Sequence, residues 1–184
     1  LPAMPSVGTA AHLDALPRGR GLIVCGPGTP GGDFPAALLR CAERHALPVL
    51  ADPLSGLRFG PAGGAVITGY DALLRNPAAA RALRPDWVLR FGRGPVSKQL
   101  SQWLGGLPTL LVDAGGGWND PTHDVVRRLV APPLAVCEAA SNLAPFRANP
   151  RWPAAWRDAD RRIRALADRH LAETPCFEGH IIRR

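Results

Sequence analysis

Lysine is all but missing from this chain. Of 22 lysines and arginines in 184 residues, only Lys98 is a lysine. Aromatic residues make up 6% of the chain, with a single tyrosine, and there is one methionine. No apolar run approaches the about 20 residues that a membrane-spanning helix needs. The opening residues lack a basic stretch followed by an apolar one, so residues 1–20 are not expected to be a secretory signal peptide. They also lack an initiator methionine, so the chain is expected to begin inside a longer or processed protein. The four cysteines (Cys25, Cys41, Cys137, Cys176) form no C-x-x-C pair and have no matching histidine pair. That argues against a zinc site and for reduced thiols in a cytoplasmic protein. The five histidines are isolated, and there is neither a nucleophile elbow nor a Walker loop. Nothing nominates a general base, so the chain is expected to carry no catalytic machinery of its own.

Charge is plentiful but dispersed. The formal net charge is +7, yet the arginines run through most of the sequence without a basic block interleaved with aromatics. A nucleic-acid footprint needs clustering on one face, so no such partner is expected.

What is present is a strand–turn–helix alternation. Residues 21–25 (GLIVC) form a continuous apolar run suited to a buried parallel strand. A helix over 33–45 is expected next, capped by Asp33, and then a strand over 47–51. A loop covers 53–65 and a short strand or turn 66–68. A helix capped by Asp71 is expected over 71–83, a strand over 87–91, and a helix over 96–104. Strands over 109–112 and 128–130 and a helix over 134–140 complete the core. This pattern predicts a Rossmann-like, three-layer α/β domain with a mainly parallel sheet flanked by helices. The domain is expected over 21–143, after an inbound linker at 1–20. Residues 144–184 read as a linker and an amphipathic helix (152–172) leading toward a further domain.

Three strand-end turns are candidates for function, because ligands of open α/β sheets collect at the carboxyl ends of strands. The first, Gly26-Pro27-Gly28-Thr29-Pro30-Gly31, fits G-x-G-x-x-G, and Asp52 falls where a ribose-binding acid would lie. Its two prolines remove N–H donors that a phosphate would use. The third, Asp113 through Asp120, needs only to turn, with Asp120 and Pro121 placed as a helix cap and first position. The second, 92–98 (GRGPVSK), pairs Arg93 as a planar fork with Lys98 as a mobile point charge. Together they suit a carboxylate, with Ser97 and Gln99 as neutral hydrogen-bonding partners.

The runs GLIVCG, LPVLADPLSGLR, ITGYDALLR, RPDWVLRFGRGPVSKQLSQWL and LLVDAGGGWNDPTHDVVRRLVA carry a resemblance. The chain resembles the central domain of the 2-succinyl-5-enolpyruvyl-6-hydroxy-3-cyclohexene-1-carboxylate (SEPHCHC) synthases, thiamine-diphosphate enzymes of menaquinone biosynthesis. The resemblance implies pyrimidine-binding and diphosphate-binding domains on either side. It implies thiamine diphosphate and Mg²⁺ or Mn²⁺ held between those two domains, not by this chain, in a homodimer or homotetramer. It implies decarboxylation of 2-oxoglutarate on the cofactor and addition of the succinyl semialdehyde unit to isochorismate. It also implies a basic pair, here Lys98 and Gln99, that helps hold the isochorismate carboxylate; Gln99 stands where some members have a second charge. Two other readings compete. One is a stand-alone dinucleotide- or nucleotide-binding module built on Gly26–Gly32 and Asp52. The other is a scaffold whose arginines bind an anionic regulator, such as a downstream aromatic acid of the pathway.

Overall fold

The computed structural model describes residues 19–59, 65–115, 123–146, 149 and 151–174. Strands β1 (Gly21–Cys25), β2 (Val49–Ala51), β3 (Trp87–Phe91), β4 (Thr109–Val112) and β5 (Val125–Leu129) form one sheet in the order β2-β1-β3-β4-β5. Every pairing is parallel. The four strands β1 to β4 are buried at all positions, as a sheet covered on both faces requires.

Helices α1 (Phe34–Arg44) and α5 (Pro133–Ser141) cover one face, over Ile23, Cys25, Leu89 and Phe91. Helices α2 (Tyr70–Leu74), α4 (Lys98–Leu104) and α6 (Arg151–Glu173) cover the other, over Leu22, Val24 and Val88. Successive strand residues point to opposite faces, which sorts β1 and β3 into these two sets. The Rossmann-like three-layer architecture is thus the observed one.

Several boundaries differ from expectation for local reasons. The helix expected over 71–83 is two helices, α2 and α3 (Pro77–Ala82). Pro77 supplies no N–H, and Asn76 before it is extended and caps α3 through the N–H groups of Ala78 and Ala79. Asp71 lies inside the first turn of α2 and is not its cap. Asp33 occupies the cap position of α1 but is helical there and makes no side-chain capping bond. Helix α4 begins at Lys98, not 96, because the Ser97 hydroxyl accepts the Leu100 N–H and starts it. Strand β2 loses Leu47 and Pro48, and Ile67 in the 66–68 stretch makes one isolated bridge to Leu50. The last strand begins at Val125, three residues before the expected 128. Only Leu129 of this strand is buried, so its sequence lacks a buried strand's apolar run.

The core extends past residue 143. Trp152 and Trp156 of α6 are buried, meet edge to face, and join the Leu22–Trp103 cluster. Trp152 Nε1 donates to the Gly21 carbonyl, and Asp160 accepts the N–H groups of Thr68 and Gly69. Beyond Asp160 the helix is largely exposed. Cys25, Cys41 and Cys137 are buried free thiols, and Cys176 lies outside the described residues. Burial pushes the Cys25 thiol upward, and the hydrogen bond to Cys41, followed by burial, pushes that of Cys137 upward, so these two are inert packing groups.

The His45 side chain does not serve the carbonyls at the end of its own helix. Instead it ties α1 to the segment around α5. Its Nδ1 accepts the Phe146 N–H, so Nε2 carries the proton and donates to the Ala140 carbonyl. Phe146 stacks on the ring. Burial holds the imidazole below its ordinary value of 6.5; the bond to Ala140 opposes this and the neighbouring Arg44 adds to it. The folded state therefore binds this proton less readily than the unfolded chain. Stability should be full above pH 6.5 and should decline as the pH falls below it, before carboxylates titrate. Urea unfolding across pH 7.5 to 5 checks this, and a flat profile would contradict it.

Candidate functional site

The order 2-1-3-4-5 puts a topological switch point between β1 and β3: α1 leaves β1 toward one face and α4 leaves β3 toward the other. Open α/β sheets bind ligands in the crevice at such a point. Here the two strand-end turns fill it themselves. The Gly26 N–H donates to the Phe91 carbonyl at 2.9 Å and the Arg93 N–H to the Pro27 carbonyl at 2.9 Å, extending the pairing beyond the strands. A Cβ on Gly26 would sit 1.9 Å from the Arg93 carbonyl oxygen. One on Gly92, whose φ is +76°, would sit 2.7 Å from the Pro27 oxygen. These glycines serve the close approach of two backbones, not of a pyrophosphate.

The rest of the first turn fits a phosphate no better. Pro27, Pro30 and Pro35 lack N–H groups, the Thr29 hydroxyl donates to the Gly26 carbonyl, and Asp33 stands at the mouth of α1. Asp52 is 1% exposed. Its Oδ1 accepts the Leu54 N–H at 2.9 Å and its Oδ2 the Val96 N–H at 2.8 Å, so it presents no carboxylate edge to a ribose. The described residues therefore do not form a diphosphate cradle. Among them, no group of three or more His, Cys, Asp or Glu could hold a metal ion.

The second turn is built differently. Arg93 and Lys98 are exposed, while Ser97 and Gln99 are partly buried. The Ser97 hydroxyl donates to Asp71 Oδ1 at 2.6 Å, and Gln99 Nε2 donates to the Leu74 carbonyl at 3.1 Å. The bond from Ser97, followed by Arg75, holds the Asp71 carboxyl below its ordinary value against the opposing effect of burial. At its far end α4 is held by Arg84, which donates to the carbonyls of Trp103 and Gly105. Ser97 and Gln99 thus brace the turn, and Arg93 and Lys98 are the two charges it offers outward. Leu54 and Val96 expose apolar side chains (63% and 57%) on the turns that Asp52 joins. Sequence reasoning missed this bracing role of Asp52; the signal available was an acid following an apolar strand and preceding Pro53. In the third turn Asp113 pairs with Arg128 at 3.3 Å, and the proposed cap at Asp120 and Pro121 lies outside the described residues.

Fold and site together define a doubly wound parallel α/β domain whose switch-point crevice is closed and whose neighbouring turn carries outward charge. A family model described as the middle domain of thiamine pyrophosphate enzymes matches residues 3–183, and the chain belongs to that family. It is 40% identical over 187 residues to the 2-succinyl-5-enolpyruvyl-6-hydroxy-3-cyclohexene-1-carboxylate synthase of Geobacillus kaustophilus, covering 98% of this chain and 32% of that protein. Enzymes of the same name from Myxococcus xanthus (38% identical, 85% of this chain, 26% of the relative) and Halobacterium salinarum (37%, 96% and 30%) are also similar. The chain spans about a third of the length of the curated relatives it matches.

The packing role given to Gly26 has a direct consequence. Gly26→Ala should lower stability by about 1–3 kcal/mol, the range for overpacking a filled site. Urea unfolding measures it, and an unchanged midpoint would show that the turns do not depend on this contact.

Proposed function

We propose that this chain is the central domain of a SEPHCHC synthase, and that its part in the reaction is to present the turn after β3 to isochorismate. The observation that carries the reading is the outward pair Arg93 and Lys98 on a braced strand-end turn, in a chain 40% identical to such a synthase across 98% of its length. Isochorismate is a cyclic dicarboxylic acid. A mobile ammonium and a planar guanidinium suit one of its carboxylates, and the exposed apolar Val96 and Leu54 suit its ring. Lys98 is the principal contact, with Arg93 beside it. Ser97 and Gln99 keep the turn in place and complete the polar surface.

In the whole enzyme, thiamine diphosphate with Mg²⁺ or Mn²⁺ supplies the carbanion chemistry that decarboxylates 2-oxoglutarate and transfers the succinyl semialdehyde unit. That cofactor is assigned to the flanking pyrimidine-binding and diphosphate-binding domains, in a homodimer or homotetramer; the proline-bearing turn after β1 offers no diphosphate cradle. The domain, expected over 21–143, takes in the first half of α6 as well, through Trp152, Trp156 and Asp160; in this reading 1–20 is an inbound linker and the chain past Asp160 leads on toward the diphosphate-binding domain. Among the described residues no helix is long and apolar enough to cross a membrane, and a cytoplasmic setting follows from the biosynthetic role proposed.

Two results are expected. In the full-length enzyme, Lys98→Ala should raise the KM for isochorismate about ten- to a hundredfold, the loss of a charge-assisted hydrogen bond worth ~1.5–3 kcal/mol. An unchanged KM would remove Lys98 from the site. This chain alone, given thiamine diphosphate, Mg²⁺, 2-oxoglutarate and isochorismate, should consume neither substrate. Measurable turnover would overturn the assignment of the chemistry to other domains.

A further inference from the structure

The Lys98 turn is held by two carboxylates, Asp52, which is buried, and Asp71, which is partly exposed. Asp52 follows β2, and its main chain is fixed on both sides: its N–H donates to the Cys25 carbonyl at 2.9 Å, and its carbonyl accepts the Ser55 N–H and hydroxyl. Its carboxylate then reaches two turns at once, the Leu54 N–H in its own and the Val96 N–H in the turn after β3. Asp52 therefore joins the ends of β1, β2 and β3, and it does so at 1% exposure. From the other side, Asp71 of α2 accepts the hydroxyl of Ser97, the residue that caps α4. Val96 and Ser97 immediately precede Lys98, so the two residues that set its main-chain position are each bound to a different carboxylate.

The chemistry of the Asp52 contact is specific. Two N–H donors from separate turns need two acceptor atoms a carboxylate's width apart. Asparagine has one oxygen and one NH₂, so it can satisfy one donor only and turns a donor toward the other. The same bond also fixes where Val96 and Leu54 place their exposed apolar side chains. A merely structural role would call for a buried tie between core elements. This tie instead ends on the exposed turn that bears the outward charges.

We infer that Asp52, supported by Asp71, is a positioning residue for isochorismate, acting through the main chain of Val96 and Ser97 to hold Lys98 and the apolar rim in binding geometry. The inference rests on the reading of Lys98 as the substrate contact. Its test is a double-mutant cycle in the full-length enzyme with Asp52→Asn, Lys98→Ala and the double variant, reading KM for isochorismate, KM for 2-oxoglutarate and kcat. Asp52→Asn, which leaves a buried N–H donor unsatisfied, should raise the isochorismate KM about tenfold, leave the 2-oxoglutarate KM unchanged, and have a clearly smaller effect once Lys98 is alanine. Equal factors in both Lys98 backgrounds, or KM values that rise together for both substrates, would overturn the inference while leaving Lys98 in place. No effect from Lys98→Ala itself would overturn the underlying reading and the inference with it. If Asp52→Asn does not yield folded enzyme, the same cycle is run with Asp71→Ala, whose side chain is 45% exposed. Non-additivity with Lys98→Ala is expected there as well, and additivity would overturn the proposal.

Discussion

The backbones after β1 and β3 approach so closely that neither turn tolerates a side chain at Gly26 or Gly92. Much of the architecture at the strand ends follows from this contact. It continues the parallel pairing past the strands and seals the crevice where a doubly wound sheet would otherwise admit a ligand. It also fixes where the β3 turn departs from the sheet. Arg93 belongs to the contact through its main chain and is free of it through its side chain, so a packing constraint on one set of atoms delivers a charge to the surface with another.

The outward turn is then secured by polar bonds, not by apolar burial. Asp52, Asp71 and the Leu74 carbonyl take hydrogen bonds from Val96, Ser97 and Gln99 in succession. A turn whose side chains point to solvent buries little apolar surface, and its stability has to come from satisfied donors and acceptors. Helix α6 plays the complementary part lower in the domain. Trp152 and Trp156 close the apolar face, and Asp160 satisfies the entry to α2.

The strands β1, β3 and β4 were legible in the sequence because each is a short, mostly apolar run, with Arg90 in β3 and Thr109 in β4 as exceptions, that ends at a glycine or an aspartate. Strand β5 was only partly legible, since an edge strand with exposed Val126 and Arg127 has no such run. The break at Asn76-Pro77 was written in the sequence, but the alanines around it masked it as one helix. Tertiary bonding was the hidden part. Nothing in local pattern distinguishes a ribose-binding acid after β2 from one that reaches across to Val96, and nothing separates a phosphate-binding glycine from one facing another backbone. Lys98 and Arg93 stood out by type and by position at a strand end. That Ser97 and Gln99 brace the turn became visible only with α2 in place beside it.

The most direct measurement is a crystal structure of the full-length enzyme with isochorismate bound. The account predicts the Lys98 ammonium within hydrogen-bonding distance of a substrate carboxylate, with the Asp52–Val96 bond intact beneath it. A bound substrate whose carboxylates are met wholly by groups from other domains, with Lys98 directed into solvent, would contradict it.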